Sequence, residues 1–434
     1  MKTCTRGCRP RGARHSLIRV FRLTLAAAAW IALVSPASAQ DGGSGRAQAQ
    51  REPGTGVTWD NRPTFLLGDH GRIEIHARLQ TDYLLRNEAD PDAAALPFQD
   101  RLSVARKRVG VSGELFGRVS FQVEGELSDE QPWRDVFADV KITRAVRVRA
   151  GHFKVPFSLE QLTSASDLDF VARAAAVTDL SPSRDLGVMV HGRLARRAVK
   201  YEAGLFEVDG QTGLWAPDAV RTVAGRVTVA PLEDGKNRGS EALEIAAAWL
   251  RSDLPESRAG LAGHTVMGQT FFRRMFVNGT RTRLDASVAW NGSRASLRGE
   301  VLRSSDTRVG QGVDGSTLSD LVSTGGYVAG IWHLVPRGAG GRDFPLRALD
   351  LTARFDRLTF GSGSALDEAF LNPRADHVAP IGKEAWTAGV NWHLNRWVKA
   401  QANAVREQLI DPLALLPLGA TPLWSAVVRF QVAM

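Results

Sequence analysis

RVGVSGELFGRVSFQVEGE, Arg108 to Glu126, reads as two strands and the bend between them. Val109, Val111, Gly113 and Leu115 alternate with Arg108, Gly110, Ser112 and Glu114. After Phe116-Gly117 the rhythm resumes, with Val119, Phe121, Val123 and Gly125 set against Ser120, Gln122, Glu124 and Glu126. A period of two places apolar side chains on one face of a strand and polar ones on the other. A helix would also need apolar residues three apart, and neither half has them.

The same period runs in both directions. Ile73, Ile75, Ala77 and Leu79 alternate with Glu74, His76, Arg78 and Gln80. The chain ends on Trp424, Ala426, Val428, Phe430, Val432 and Met434, again every second residue. About sixteen such segments fit between a first strand over 72–80 and a last over 421–434. The links at 81–100, 154–184, 209–220, 252–282, 304–323, 358–382 and 408–420 are long, and most of the others are short. Alternating long and short links describe an all-β, antiparallel transmembrane β-barrel with one elaborated and one plain rim. A soluble β-sandwich remains an alternative on periodicity alone.

Residues 1–39 have the form of a secretory signal peptide. Seven cations precede or flank a twelve-residue apolar run, Leu23 to Val34, and Ala37-Ser38-Ala39 offers a small-x-small cleavage site. Removing this segment changes the charge argument. Seven of the 55 Lys and Arg lie within it, which leaves 48 against 46 acids, so the formal +9 does not point to nucleic acid. Both cysteines, Cys4 and Cys8, lie in it too, so no thiol follows for a disulfide, a metal or a nucleophile. Residues 40–70 read as an irregular periplasmic segment ahead of a barrel over 71–434.

One link breaks the rhythm for about thirty residues. It begins in GHFKVPFSLEQLTSASDLDF, Gly151 to Phe170. Pro156 cannot donate to a ladder and ends the strand. Ser158 with Gln161 forms a capping box that starts a helical turn, and Ser166 and Asp167 are candidates to cap a second piece reaching Ala176. A barrel of sixteen strands is too wide for side chains to fill. A third long loop folded into the lumen would narrow it.

These residues resemble the phosphate-selective porin O/P family of bacterial outer-membrane porins. The resemblance is carried by GRIEIHARLQTD (71–82), ARKRVGVSGEL (105–115), RVRAGHFKVPFSLEQLT (147–163), SRDLGVMVHG (183–192) and WTAGVNWHLNRWVKAQANAVR (386–406). It implies a sixteen-stranded homotrimer in the outer-membrane lipid, with the third loop in the pore and passive diffusion of small hydrophilic solutes, among them anions such as phosphate. Arg106, Arg108, Asp135, Arg147, Arg149, Lys154 and Gln161 are the expected pore-lining and constriction residues. Arginine suits an oxyanion because its planar fork donates in pairs and stays charged. The family pattern puts a lysine after the Leu-Glu of this loop, where this chain has Gln161. A barrel whose long loops at 252–282 and 358–382 bind a partner outside is the alternative function.

No cofactor is expected. Nine histidines are scattered without HExxH, and no GxSxG elbow or GxxxxGK[ST] loop occurs. A serine and a histidine on neighbouring strands, facing lipid or a loop, would be the mark of a membrane hydrolase instead.

Overall fold

An open strand edge in hydrocarbon leaves amide and carbonyl groups without partners, so a sheet that spans a bilayer closes on itself. The computed structural model describes residues 54–59, 61–86, 101–127, 132–207, 209, 221–231, 242–254, 260–266, 268, 270–335, 349–362, 374, 376–410 and 422–434. The expected signal segment and its cleavage site lie outside them.

The strands are β1 (Thr55–Trp59), β2 (Pro63–Leu67), β3 (Gly71–Arg86), β4 (Arg101–Leu115), β5 (Val119–Glu126), β6 (Trp133–Lys141), β7 (Arg147–Lys154), β8 (Arg184–Leu194), β9 (Val199–Phe206) and β10 (Thr222–Val229). They continue as β11 (Ala242–Leu254), β12 (Gly260–His264), β13 (Thr270–Phe276), β14 (Gly279–Asn291), β15 (Ala295–Arg308), β16 (Leu318–His333), β17 (Leu349–Ser362), β18 (Val378–His393), β19 (Val398–Ile410) and β20 (Leu423–Ala433).

Sixteen of them, β3 to β11 and β14 to β20, pair antiparallel with their neighbours in turn. The ring closes where β20 meets β3, from Ser425 against Arg86 to Ala433 against Arg78. The register sorts the side chains as the alternation requires. Val109 and Val123 face outward and are exposed, whereas Glu124 and Glu126 on the other face are buried in the bore. The bend is a three-residue link, Phe116 to Arg118, whose first two residues have positive φ, 53° and 61°, the backbone sense that suits the twist of a hairpin.

Residues 55–67, expected to be irregular, form the β1–β2 hairpin. Its second strand pairs with the start of β3, Thr64 opposite Glu74, below the point where β20 joins. The five-residue strands are too short for periodicity to distinguish them from a loop.

The bore is not uniform. The third loop, 155–183, crosses it and carries two short helices, Leu159–Leu162 and Ala175–Leu180. The hairpin β12–β13 from the fifth loop also turns inward. Phe271 and Phe272 are fully buried, and the Phe272 ring stacks on Phe360 of the β17 inner face at 4.3 Å. With Val155, Phe157, Phe170, Ala174, Val177 and Leu180 of the third loop they form one apolar cluster. Each buried Val, Leu or Phe of this cluster stabilises the packing by about 1.5–3 kcal/mol. The link at 252–282, weighed as an outward-facing binding loop, thus spends its hairpin inside the barrel. In the link at 358–382, Val378–Ile381 extends β18, and 363–373 falls outside the described residues.

Candidate functional site

The packed loops leave a polar passage on one side of the barrel. A cavity of about 910 Å³ lies between the third loop and the inner faces of β3 to β9. A second, of about 590 Å³, opens at the short-turn rim beneath the loop.

Local chemistry builds the loop. The Ser158 Oγ accepts from Gln161 N at 3.1 Å, the cap its spacing predicts. Barrel side chains then hold the loop backbone. Gln80 donates to Ala165 O at 3.1 Å, Lys399 to Ser166 O at 2.8 Å, and Gln401 to Leu168 O at 3.1 Å. Asn403 accepts from Val171 N at 2.8 Å. A loop fixed at so many points is a fitted part of the bore. The second helix does not begin at Ser166-Asp167. It starts at Ala175 with no side-chain cap of its own, and Asp356 on β17 accepts from Ala175 N at 3.3 Å.

Six of the seven expected pore residues line the larger cavity: Arg106, Arg108, Asp135, Arg149, Lys154 and Gln161. Arg147 stands apart, paired with Asp139 at 2.6 Å and bonded to Ser120. Lys154, expected in the loop, is the last residue of β7.

Charge pairing divides these residues. Arg108 is neutralised by Glu126 at 2.8 Å and Glu124 at 3.2 Å. Arg149 pairs with Asp139 at 2.9 Å, and Asp135 with Arg184 at 2.7 Å. Four cations have only neutral partners among the described residues. Arg78 donates to Ser164 Oγ at 3.2 Å, and Arg106 to Gln80 Oε1 at 2.6 Å. Lys154 donates to Leu162 O and Thr163 O, each at 3.0 Å. Arg173 donates to Glu160 O at 3.1 Å and to Thr163 O at 3.2 Å. Two cations thus converge on one carbonyl, and among the described residues neither is bonded directly to a carboxylate. Burial, together with Arg184 and Arg108, pulls the Arg173 guanidinium below its ordinary value, against the pull of Glu160.

Sequence reasoning missed Arg78 as a constriction residue and missed Arg173 altogether. Arg78 sat in the inward phase among many arginines. Arg173 lies in a loop, where no period says which way a side chain points.

One arrangement has the outline of a hydrolase. Ser296 on β15, His333 on β16 and Asp350 on β17 form a chain, with Oγ to Nε2 at 3.0 Å and Nδ1 to Oδ1 at 2.7 Å. The pair faces the bore, and Ser296 is 0% exposed, so its oxygen has no surface from which to meet a substrate. The three side chains tie neighbouring strands together near the short-turn rim.

A closed sixteen-strand barrel with a loop fitted into a polar bore has the architecture of an outer-membrane porin. A family model described as phosphate-selective porin O and P matches residues 73–408, and the chain belongs to that family. It is a porin of the bacterial outer membrane, a channel for small solutes. Solved structures share the fold. OmpT of Vibrio cholerae aligns at 12% identity with a TM-score of 0.54, covering 85% of this chain and 99% of its own. An anion-selective porin from Comamonas acidovorans aligns at 15% identity with a TM-score of 0.52, covering 84% and 100%. The channel DcaP of Acinetobacter baumannii aligns at 11% with a TM-score of 0.51, covering 84% and 98%. No curated protein matches in sequence.

Proposed function

We propose that this porin prefers anions and draws small oxyanions such as phosphate through the passage beside its third loop. The observation that carries the reading is the set Arg78, Arg106, Lys154 and Arg173, whose bonds all run to neutral oxygens. Such bonds position a cation and leave its charge for a passing ion. A fixed charge close to a passing ion is only partly screened by salt. Arg106, Arg108, Arg149, Lys154, Gln161 and Asp135 form the constriction and its approach, with Arg147 further along the wall. The family's description and the anion-selective porin from Comamonas acidovorans support the same reading. The chain acts as a homotrimer, as the trimeric form of OmpT of Vibrio cholerae suggests.

Reversal potentials in asymmetric KCl test the preference. The expected sign is that of a chloride-selective pore, with the current falling as phosphate is added. A potassium-selective current refutes the proposal.

A further inference from the structure

The barrel wall presents carboxyl groups to the third loop. Glu300 on β15 accepts from Leu159 N at 2.8 Å and Glu160 N at 3.1 Å. Asp356 on β17 accepts from Ala175 N. Glu160, on the loop itself, folds back to accept from Ala174 N at 2.9 Å. Asp285 on β14 lies within hydrogen-bond reach of Glu300.

Two guanidiniums face these four carboxyls. Arg226 on β10 binds Asp285 at 3.2 Å, Ser287, and the Phe157 carbonyl. Arg354 on β17 binds Asp356 at 3.2 Å, Glu160 at 3.3 Å and Ala172 O at 3.0 Å. Tyr327 on β16 closes the wall and brings no charge. Arg173 bonds the Glu160 backbone carbonyl and acts on its carboxyl only through the field, beyond hydrogen-bond distance, and Arg298 is engaged by Asp169 at 2.6 Å. All four carboxyls and both guanidiniums are buried. Even with the more distant Arg173 counted beside the two paired guanidiniums, four ionised carboxyls outnumber the cations, and uncompensated buried charge is expelled or neutralised. The cluster therefore holds protons while the loop is seated.

We propose that this cluster is a proton-controlled latch on the third loop. Protonated, it seats the loop. On deprotonation, repulsion between Glu160 on the loop and Glu300 on the wall loosens the loop and widens the passage. The latch rests on the reading of the third loop as the constriction.

Burial pushes the Glu160 carboxyl up from 4.5 to about 7, with Glu300 adding to the rise and Arg354 opposing it. The seated loop keeps a proton that the released loop gives up between those values. Seating therefore weakens as pH rises across that window and is weakest above it. At tenfold per unit, the shift corresponds to a change on the order of a hundredfold in the seating equilibrium.

The test uses the full-length porin in planar bilayers from about pH 4.5 to about pH 8. The time spent at conductance levels above the main one should rise on the order of a hundredfold across this range. The Glu160→Gln porin should stay at its low-pH behaviour throughout. A wild-type record that is steady with pH, or a Glu160→Gln porin that follows the wild type, overturns the latch and leaves the pore standing. A barrel that conducts at no pH overturns both. Hydrogen exchange gives a second readout on the wild-type chain, should the variant fail to assemble. Protection at Leu159, Glu160, Ala174 and Ala175 should fall with rising pH after correction for base catalysis, and constant protection also refutes the latch.

Discussion

Replacing Arg173 with Gln should cut the preference for chloride over potassium about fivefold. The amide can still donate towards the carbonyls of Glu160 and Thr163, which the guanidinium now holds, but it carries no charge. An ion passing about 5 Å from the guanidinium in a watery passage interacts with it by about 0.8 kcal/mol. Salt near 0.1 M screens this to about 0.5 kcal/mol. The interaction favours the anion and opposes the cation, so the difference between them is about 1 kcal/mol, or roughly fivefold in the permeability ratio. The reversal potential across a KCl gradient reads that ratio directly. Arg173→Lys should restore most of it, because the charge returns even though the fork does not. A ratio unchanged by Gln, or a Lys porin no different from the Gln porin, would show that Arg173 acts only as a brace for the loop.

Other consequences follow from the same contacts. Glu300→Gln weakens two bonds to the third loop, each worth about 1.5–3 kcal/mol, and at about pH 5, where Glu160 keeps its proton, should raise hydrogen exchange at Leu159 and Glu160 while the barrel stays folded. His264 on the inward hairpin pairs with Asp179 of the third loop at 3.2 Å, and that bond raises its value above 6.5. The clasp is therefore complete below pH 6.5 and lost as pH rises through the raised value, so proteolysis of the hairpin should quicken on the alkaline side. Ser296→Ala should leave conductance and selectivity as they are, and a serine-directed fluorophosphonate should not label the wild-type porin.

The wall of the barrel was legible because its rule is local. Each strand needs only its own alternation to declare which residues face inward, and Arg106, Arg108, Arg149 and Asp135 followed that rule into the cavity. The Ser158 cap was legible for the same reason, since donor and acceptor lie three residues apart. What fills the bore obeys no local rule. The helix over 175–180 starts where β17 supplies a carboxylate, a partner 181 residues away. Arg173 reaches the passage only because the loop doubles back. The inward hairpin did leave a trace: adjacent Phe271 and Phe272 are costly on a surface loop, and their presence in a long link signals burial. The charge balance was also beyond reach, because inward-facing acids and bases say nothing of which pairs form.

The inward hairpin and third loop separate two dimensions that a plain cylinder ties together. Strand number fixes the circumference offered to lipid, whereas the thickness of the inner lining fixes the aperture. Changes at Phe272 or Val177 could therefore re-bore the conduit while every residue at the bilayer surface stays as it was. Permeability could then drift over evolutionary time without disturbing how the barrel is inserted or how it meets its neighbours.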